Sequence, residues 1–215
     1  MAQQERAVRT RRAVLEAAAT VFAEHGYTAA TVADILKTAG VTKGALYFHF
    51  DSKEALAKGI LEVQTDHRPP QQEIKLQEMV DLAMAVANRL TYDPVLRAGA
   101  RLSADPIGRK YYGSAWSQWA ETLTGILTEA HQRGETLSHV VPREIAEMVV
   151  SAFNGVQLYA QLEAGLQDVE YRVSLLLKNL LPSIASPAIL MRLDVAPDRG
   201  ARLVAEEEGR VPAAV

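Results

Sequence analysis

Residues 31–50 read TVADILKTAGVTKGALYFHF, and the punctuation of this stretch decides the fold. Thr31 followed by Asp34 is a capping box, in which a hydroxyl and a carboxylate each take an amide at a helix start. The helix so opened, over 32–38, stops at Gly40, which accepts the left-handed conformation after a last turn. Thr42 then caps a further helix over 43–48. Two short helices joined at Ala39-Gly40-Val41-Thr42 predict a helix-turn-helix arrangement.

The same grammar extends to either side. Over 9–25, Val14, Ala18, Val21 and Phe22 fall on one helical stripe with Leu15 beside it, and His25-Gly26 ends that helix. Asp51 with Glu54 opens a fourth helix, over 52–65, through Leu56, Ile60 and Leu61 towards Gln64. HRPPQQ, 67–72, is the best break in the chain, because two prolines cannot sit inside a helix. Beyond it the periodicity predicts helices over 72–91, 94–104, 114–133, 142–164, 168–184 and 187–193. Asp93-Pro94 and Ser186-Pro187 are good starts, and Gly134 is a good stop. The stretch 105–113 reads as a loop, and the tail from Pro197, with its acidic run, as frayed or disordered. Alternating β-branched runs are missing. The fold class is therefore all-α: an N-terminal three-helix helix-turn-helix domain over 1–50, a larger helical domain over 51–195 entered through the helix 52–65 (a ligand-binding and dimerisation domain, by the family resemblance given below), and a disordered tail over 196–215.

Composition agrees with a globular chain. Hydrophobic residues make up 48% of the 215 positions and charged residues 23%, enough to bury a real core. With no cysteine, disulfide and thiolate chemistry are excluded, and a reducing cytoplasm is the natural setting, at the nucleoid when the protein is bound to DNA. The first residues lack the apolar segment of an export signal, and no run is long enough to span a membrane. Residues 1–53 hold seven Lys/Arg against five Asp/Glu, whereas the whole chain carries −3. Arg6, Arg9, Arg11 and Arg12 concentrate the basic excess at the N-terminus, which is compatible with local anion binding.

In a helix-turn-helix the second helix enters the major groove with its N-terminal residues at base edges. Here that helix begins Thr42-Lys43-Gly44. Thr42 and Lys43 supply a hydroxyl and an ammonium for bases or phosphates, and Gly44 removes a side chain where the helix approaches DNA. Tyr47 and His49 are expected to reach phosphates, and Lys53 to sit on the DNA backbone. Thr31 and Thr42 stand at helix N-termini, which favour phosphate. Ala45, Leu46, Phe48 and Phe50 are expected to hold so short a helix down as core.

The stretch 10–61, with its G-Y, T-V-x-x-I, A-G-V, G-x-L-Y-x-H-F and S-K-E-x-L elements, resembles the DNA-binding domain of the tetracycline-repressor (TetR) family. That resemblance implies a homodimer whose N-terminal domains read a palindromic double-stranded operator and whose C-terminal domain binds a small inducer. PVLRAGARLS (94–103), SAFNGVQLYAQ (151–161), LLPSIASPAIL (180–190) and VTKGALYFHF itself resemble the γ-butyrolactone-receptor branch. Members of that branch repress antibiotic-production and differentiation genes in actinomycetes until a diffusible lipophilic signal releases them. Trp119 matches the tryptophan that family members place in the pocket. Thr122 and Ile126 follow Trp119 at helical spacing, and Phe153, Gln157 and Gln161 repeat at i, i+4 and i+8 on the next long helix. Met84 and Gln64 complete the candidate ligand set; for residues chosen by spacing, the alternative is ordinary core. The helices 142–164 and 168–184, apolar on more than one face, are expected to pair with their twins as a four-helix bundle.

Other readings stay open at this level. An orphan receptor of the same fold would answer to an antibiotic or a biosynthetic intermediate, and a small-molecule enzyme or carrier is a remote alternative. Against the last, the five histidines show no metal-ligand spacing, and the chain has no nucleophile elbow, P-loop or dinucleotide fingerprint. No catalytic residue, cofactor or metal ligand is assigned.

Overall fold

The computed structural model describes residues 2–65 and 71–210, so residues 67–70 of the expected break lie outside the described residues. Twelve α-helices are described, with no strand and one isolated antiparallel bridge, Thr136 to Ala185, among the described residues. The helices gather into two compact units, Met1–Asp66 with Asp93–Trp116, and His67–Tyr92 with Ser117–Val215. The stretch 93–116 therefore joins the N-terminal unit, although the sequence-based boundary at residue 50 assigned it to the second domain.

The first unit contains α1 (Ala2–Ala29), α2 (Val32–Ala39), α3 (Lys43–His49), α4 (Lys53–Gln64), α6 (Pro94–Ala104) and α7 (Arg109–Tyr112). The predicted stripe of α1 is buried at Val14, Leu15, Ala18, Val21 and Phe22, as are Ile35, Leu46, Phe50, Leu56 and Ile60 in the same unit's core. Each large apolar side chain among them contributes about 1.5–3 kcal/mol by leaving water. Gly26 breaks α1 where expected: its φ of 75° and ψ of 169° are non-helical, and one further turn runs on to Ala29. The capping box forms in full, with the Thr31 side chain accepting from the Asp34 amide and the Asp34 carboxylate accepting from the Thr31 amide. Gly40 is left-handed at φ 63° and closes α2. Thr42 accepts from the Ala45 amide at 3.3 Å. The cap of α4 is Ser52, whose hydroxyl accepts from Ala55, rather than Asp51. The serine stands one position nearer the first helical amides, where its oxygen reaches the third.

The expected loop 105–113 contains a turn of helix, α7. Asp105 starts it by accepting from the amides of Ile107 (2.9 Å) and Gly108 (3.0 Å), a local bond that composition alone does not reveal.

The second unit contains α5 (Lys75–Leu90), α8 (Trp116–Gln132), α9 (Pro142–Ala164), α10 (Val169–Leu180), α11 (Pro187–Leu190) and α12 (Arg199–Arg210), with a 3₁₀ turn at Leu181–Ser183 where Pro182 removes an amide. Its centre is α5, buried at eleven positions including Gln77, Glu78 and Asp81. That helix starts at Lys75, later than the expected residue 72, because its cap arrives from far along the chain. The buried Glu135 carboxylate accepts from the amides of Lys75 (3.0 Å) and Leu76 (2.9 Å).

The tail also departs from expectation. Residues 199–210 form α12, which buries Leu203 and Val204 and docks Arg199 onto Asp81 with bonds of 2.8 and 2.7 Å. Asp81 is wholly buried and also accepts from Gln72 (2.8 Å) and Gln77 (2.6 Å). The acidic composition of the tail reveals neither this long-range pair nor the apolar residues that α12 buries.

Candidate nucleic-acid interface

Seven residues are too few for a helix to hold itself in water, so α3 depends on what it buries. It buries Leu46, with Phe50 just beyond its end, and Ala45 and His49 half-buried beside them. The opposite face is centred on Gly44, with Lys43 and Tyr47 on one flank and Phe48 on the other. A Cβ at Gly44 would meet nothing within 4 Å, so this face is open at its middle. The Lys43 ammonium lies 5.8 Å from the Tyr47 ring centroid.

Two assignments change places here. Phe48, expected in the core, is 80% exposed, and its ring meets the His49 ring edge-on at 4.9 Å. His49, expected to face outward, is half-buried. The expectation alternated in and out, which is the period of a strand; at 100° per residue Phe48 falls beside Gly44 and His49 behind it.

Thr31 and Thr42 both stand exposed at N-termini, but their surroundings differ. The Thr31 hydroxyl donates to Asp34 at 2.6 Å, so the start of α2 already holds its own anion. The first turn of α3 has no acidic residue, and Thr42 and Lys43 face solvent there. Hydrogen bonds from the Thr31 hydroxyl and amide hold the Asp34 carboxyl below its usual range.

Lys53 does not project towards a partner. Its ammonium donates to the carbonyls of Tyr27 (2.6 Å) and Ala30 (2.8 Å) and lies 4.3 Å from the Tyr27 ring centroid. Burial draws its pKa below the ordinary lysine value. The expected role on the DNA backbone is thus replaced by an internal one, tying α4 to the corner that precedes α2. Tyr27 is half-buried and hydrogen-bonded to Glu54, and burial above all pushes its phenol up to about 12. Of the N-terminal arginines, Arg12 pairs with Glu16 at 2.7 Å and Arg11 lies over the Phe50 ring at 4.9 Å. Arg9 is exposed.

The candidate effector residues fall into three groups. Trp119, Thr122 and Ile126 share one face of α8 and are half-buried. On α9, Phe153 and Gln157 are half-buried and Gln161 is exposed. Met84 is fully buried, and its backbone carbonyl lies so close under Gly200 of α12 that no Cβ would fit there. Gln64 belongs to the first unit, where it is buried and its side-chain amide occupies the space over Gly99. The structure therefore does not group Gln64 with the others.

A pair of short capped helices, the second presenting an open polar and aromatic face, places the protein in the class of helix-turn-helix DNA-binding regulators. The sequence profile described as "Bacterial regulatory proteins, tetR family" matches residues 14–60. The A-factor receptor protein of Streptomyces griseus is 37% identical over 99% of this chain and 80% of its own length. The chain belongs to the TetR family. Among solved structures, full-length native TylP, a TetR regulator from Streptomyces fradiae, matches with a TM-score of 0.85 at 37% identity, over 99% of this chain and 96% of that one. A structure described as a γ-butyrolactone receptor (ArpA-like protein) matches with a TM-score of 0.71 at 28% identity, over 94% and 99%. The protein is thus a TetR-type transcriptional repressor related to A-factor and γ-butyrolactone receptors, and these relatives are regulators rather than enzymes. No described helix is long and apolar enough to cross a membrane.

Proposed function

We propose that the chain acts as a homodimeric repressor that holds a palindromic operator and leaves it when a small lipophilic signal of the γ-butyrolactone type binds the larger unit, freeing genes of antibiotic production or differentiation. The exposed face of α3 carries the DNA part of this reading. Lys43 and Thr42 stand where base edges and phosphates are met, Gly44 admits close approach, and Tyr47 adds a hydroxyl. Phe48, which sequence patterning placed in the core, adds an apolar ring suited to a thymine methyl or a deoxyribose. The ligand part rests on the names borne by the relatives, an A-factor receptor and a γ-butyrolactone receptor, and on the half-buried Trp119 face of α8.

Dimerisation is assigned to α9 and α10. Leu162 is 75% exposed, and Met148, Leu158, Tyr159, Tyr171 and Leu175 are also open. So many large apolar groups on adjoining helices mark an interaction face, and a twin surface covers it symmetrically. Release is then a population shift. Two recognition helices fit half-sites about 34 Å apart, or a multiple of that, in one conformation and not in the other. Moving that balance from 1:99 to 99:1 needs a signal that favours the released state by about 5.5 kcal/mol.

The test is selection of a duplex from random DNA by the full-length protein, followed by titration of the complex with a synthetic A-factor-type γ-butyrolactone. A palindrome recovered and then released is the expected result. A palindrome that the lactone leaves bound, but an antibiotic or a biosynthetic intermediate releases, would move the protein to the orphan receptors. Trp119→Ala should bind the operator normally and ignore the lactone; a normal response would place the pocket elsewhere.

A further inference from the structure

The α1–α2 corner, Ala23 to Ala30, leads directly into the Thr31 cap, and it is gripped by side chains outside the helix-turn-helix pair. Arg101 of α6 donates from Nη1 to the carbonyls of Ala23 (2.8 Å) and Glu24 (2.9 Å). These are among the last carbonyls before the Gly26 kink, at the negative end of the helix dipole, where a cation is favoured. The guanidinium covers the kink so closely that a Cβ at Gly26 would lie 3.1 Å from both Nε and Nη2. Lys53 of α4 takes the carbonyls of Tyr27 and Ala30. The Tyr27 ring lies 4.7 Å from the Tyr112 ring of α7, which is held in turn by Asp105 at 3.2 Å. Two cations thus bind four carbonyls within this one corner of the chain, and one of them is presented by a segment distant in sequence.

We propose that Arg101 is a positioning residue for DNA reading: it touches no part of the reading face, but it fixes the α1–α2 corner and through it the aim of α2 and α3. The inference rests on the DNA-reading function set out above. Helices of eight and seven residues cannot set their own direction, so their aim follows from what holds their ends. Arg101 also gives the stretch 93–116 a defined task. That stretch follows α5, which ends at Leu90, and leads into α8, which begins at Trp116. Both of those helices run in the second unit, so the stretch is a covalent path from it to the corner.

The experiment uses the full-length protein and the duplex that the wild type selects from random DNA. Arg101→Gln is expected to weaken binding about tenfold, about 1.4 kcal/mol, while the slope of log K against log salt stays as in the wild type. Hydrogen exchange should quicken at the amides of 27–34. Arg101→Lys should recover most of the affinity, since an ammonium can serve two carbonyls. Should Arg101→Gln melt out, Gly26→Ala, which strains a left-handed backbone and crowds the guanidinium, is expected to give the same loss at constant slope. Unchanged affinity in a folded variant would overturn the proposal. So would a loss with the slope reduced by about one counterion, because Arg101 would then be a phosphate contact itself. If the wild type selects no duplex, the DNA-reading function fails and takes the proposal with it. That outcome is distinguished at once, because it appears before any variant is made.

Discussion

The exposed face of α3 and the surroundings of α5 use their charges differently. On the reading face of the first unit, Thr42 and Lys43 stand in solvent, and beneath them lie apolar groups such as Leu46 and Phe50. Around α5 of the second, charges are taken inside and matched. Asp81 meets Arg199, Glu135 caps the helix start, and Lys75 bridges Glu78 (2.9 Å) and Glu129 (3.1 Å). A charge left in water costs the fold little and remains free for a partner, whereas a buried charge commits its neighbours. On the function proposed above, the contrast separates groups kept for an external anion from groups kept for the architecture.

Substitutions break this contrast in order of size. Asp81→Ala leaves Arg199 beside an empty acceptor site and should cost about 3–5 kcal/mol of stability. Urea unfolding reads this as a fall in midpoint, and a midpoint close to the wild type would show that the pair is dispensable. Lys43→Ala should leave the midpoint unchanged and weaken operator binding, with the salt slope reduced by about one counterion. Phe48→Ala should weaken binding without changing that slope, since the ring carries no charge. Equal affinity of the Phe48 variant on the selected duplex would remove the ring from the interface.

The smallest effect sharpens the comparison within the helix pair. Thr31→Ala should cost about 1 kcal/mol of stability, as a lost cap does, and alter DNA binding less than Thr42→Ala. It should also change the response to acid. The Asp34 carboxyl is held low in the folded chain by the Thr31 hydroxyl and amide, so its contribution is present above the ordinary carboxylate pKa. It is lost as pH falls through the lowered folded value. Without Thr31 the acid limb of the stability profile should flatten; an identical limb would show that the box contributes nothing there.

What the sequence disclosed, and what it hid, follows the range of the interactions. Thr31, Gly40, Thr42 and the Asp93-Pro94 start act within one turn of themselves, and each was legible. Ser52 was missed by one position because Asp51 has equal capping chemistry. Phe48 and His49 were exchanged by reading alternation into a helix. The later start of α5 comes from Glu135, 60 residues away, and the ordered α12 comes from Arg199 meeting Asp81 across 118 residues. No local pattern carries such pairings. Met84 and Gln64 joined the ligand set with neither a motif nor a spacing behind them; in the fold Met84 is fully buried and Gln64 fills the space over Gly99. The half-buried Trp119 face on α8 keeps its candidacy.

The docking of α12 has a consequence for how the chain is made. The elements of the first unit are complete once residue 116 has been synthesised, whereas the carboxylate at Asp81 waits for Arg199, 118 residues further along the chain. Domains fold as units while they leave the ribosome. A nascent or C-terminally nicked chain would then carry a finished DNA-reading unit before, or without, a finished partner unit. Because the proposed dimer face lies on α9 and α10 of that second unit, such a chain would meet half-sites singly until the second unit is finished.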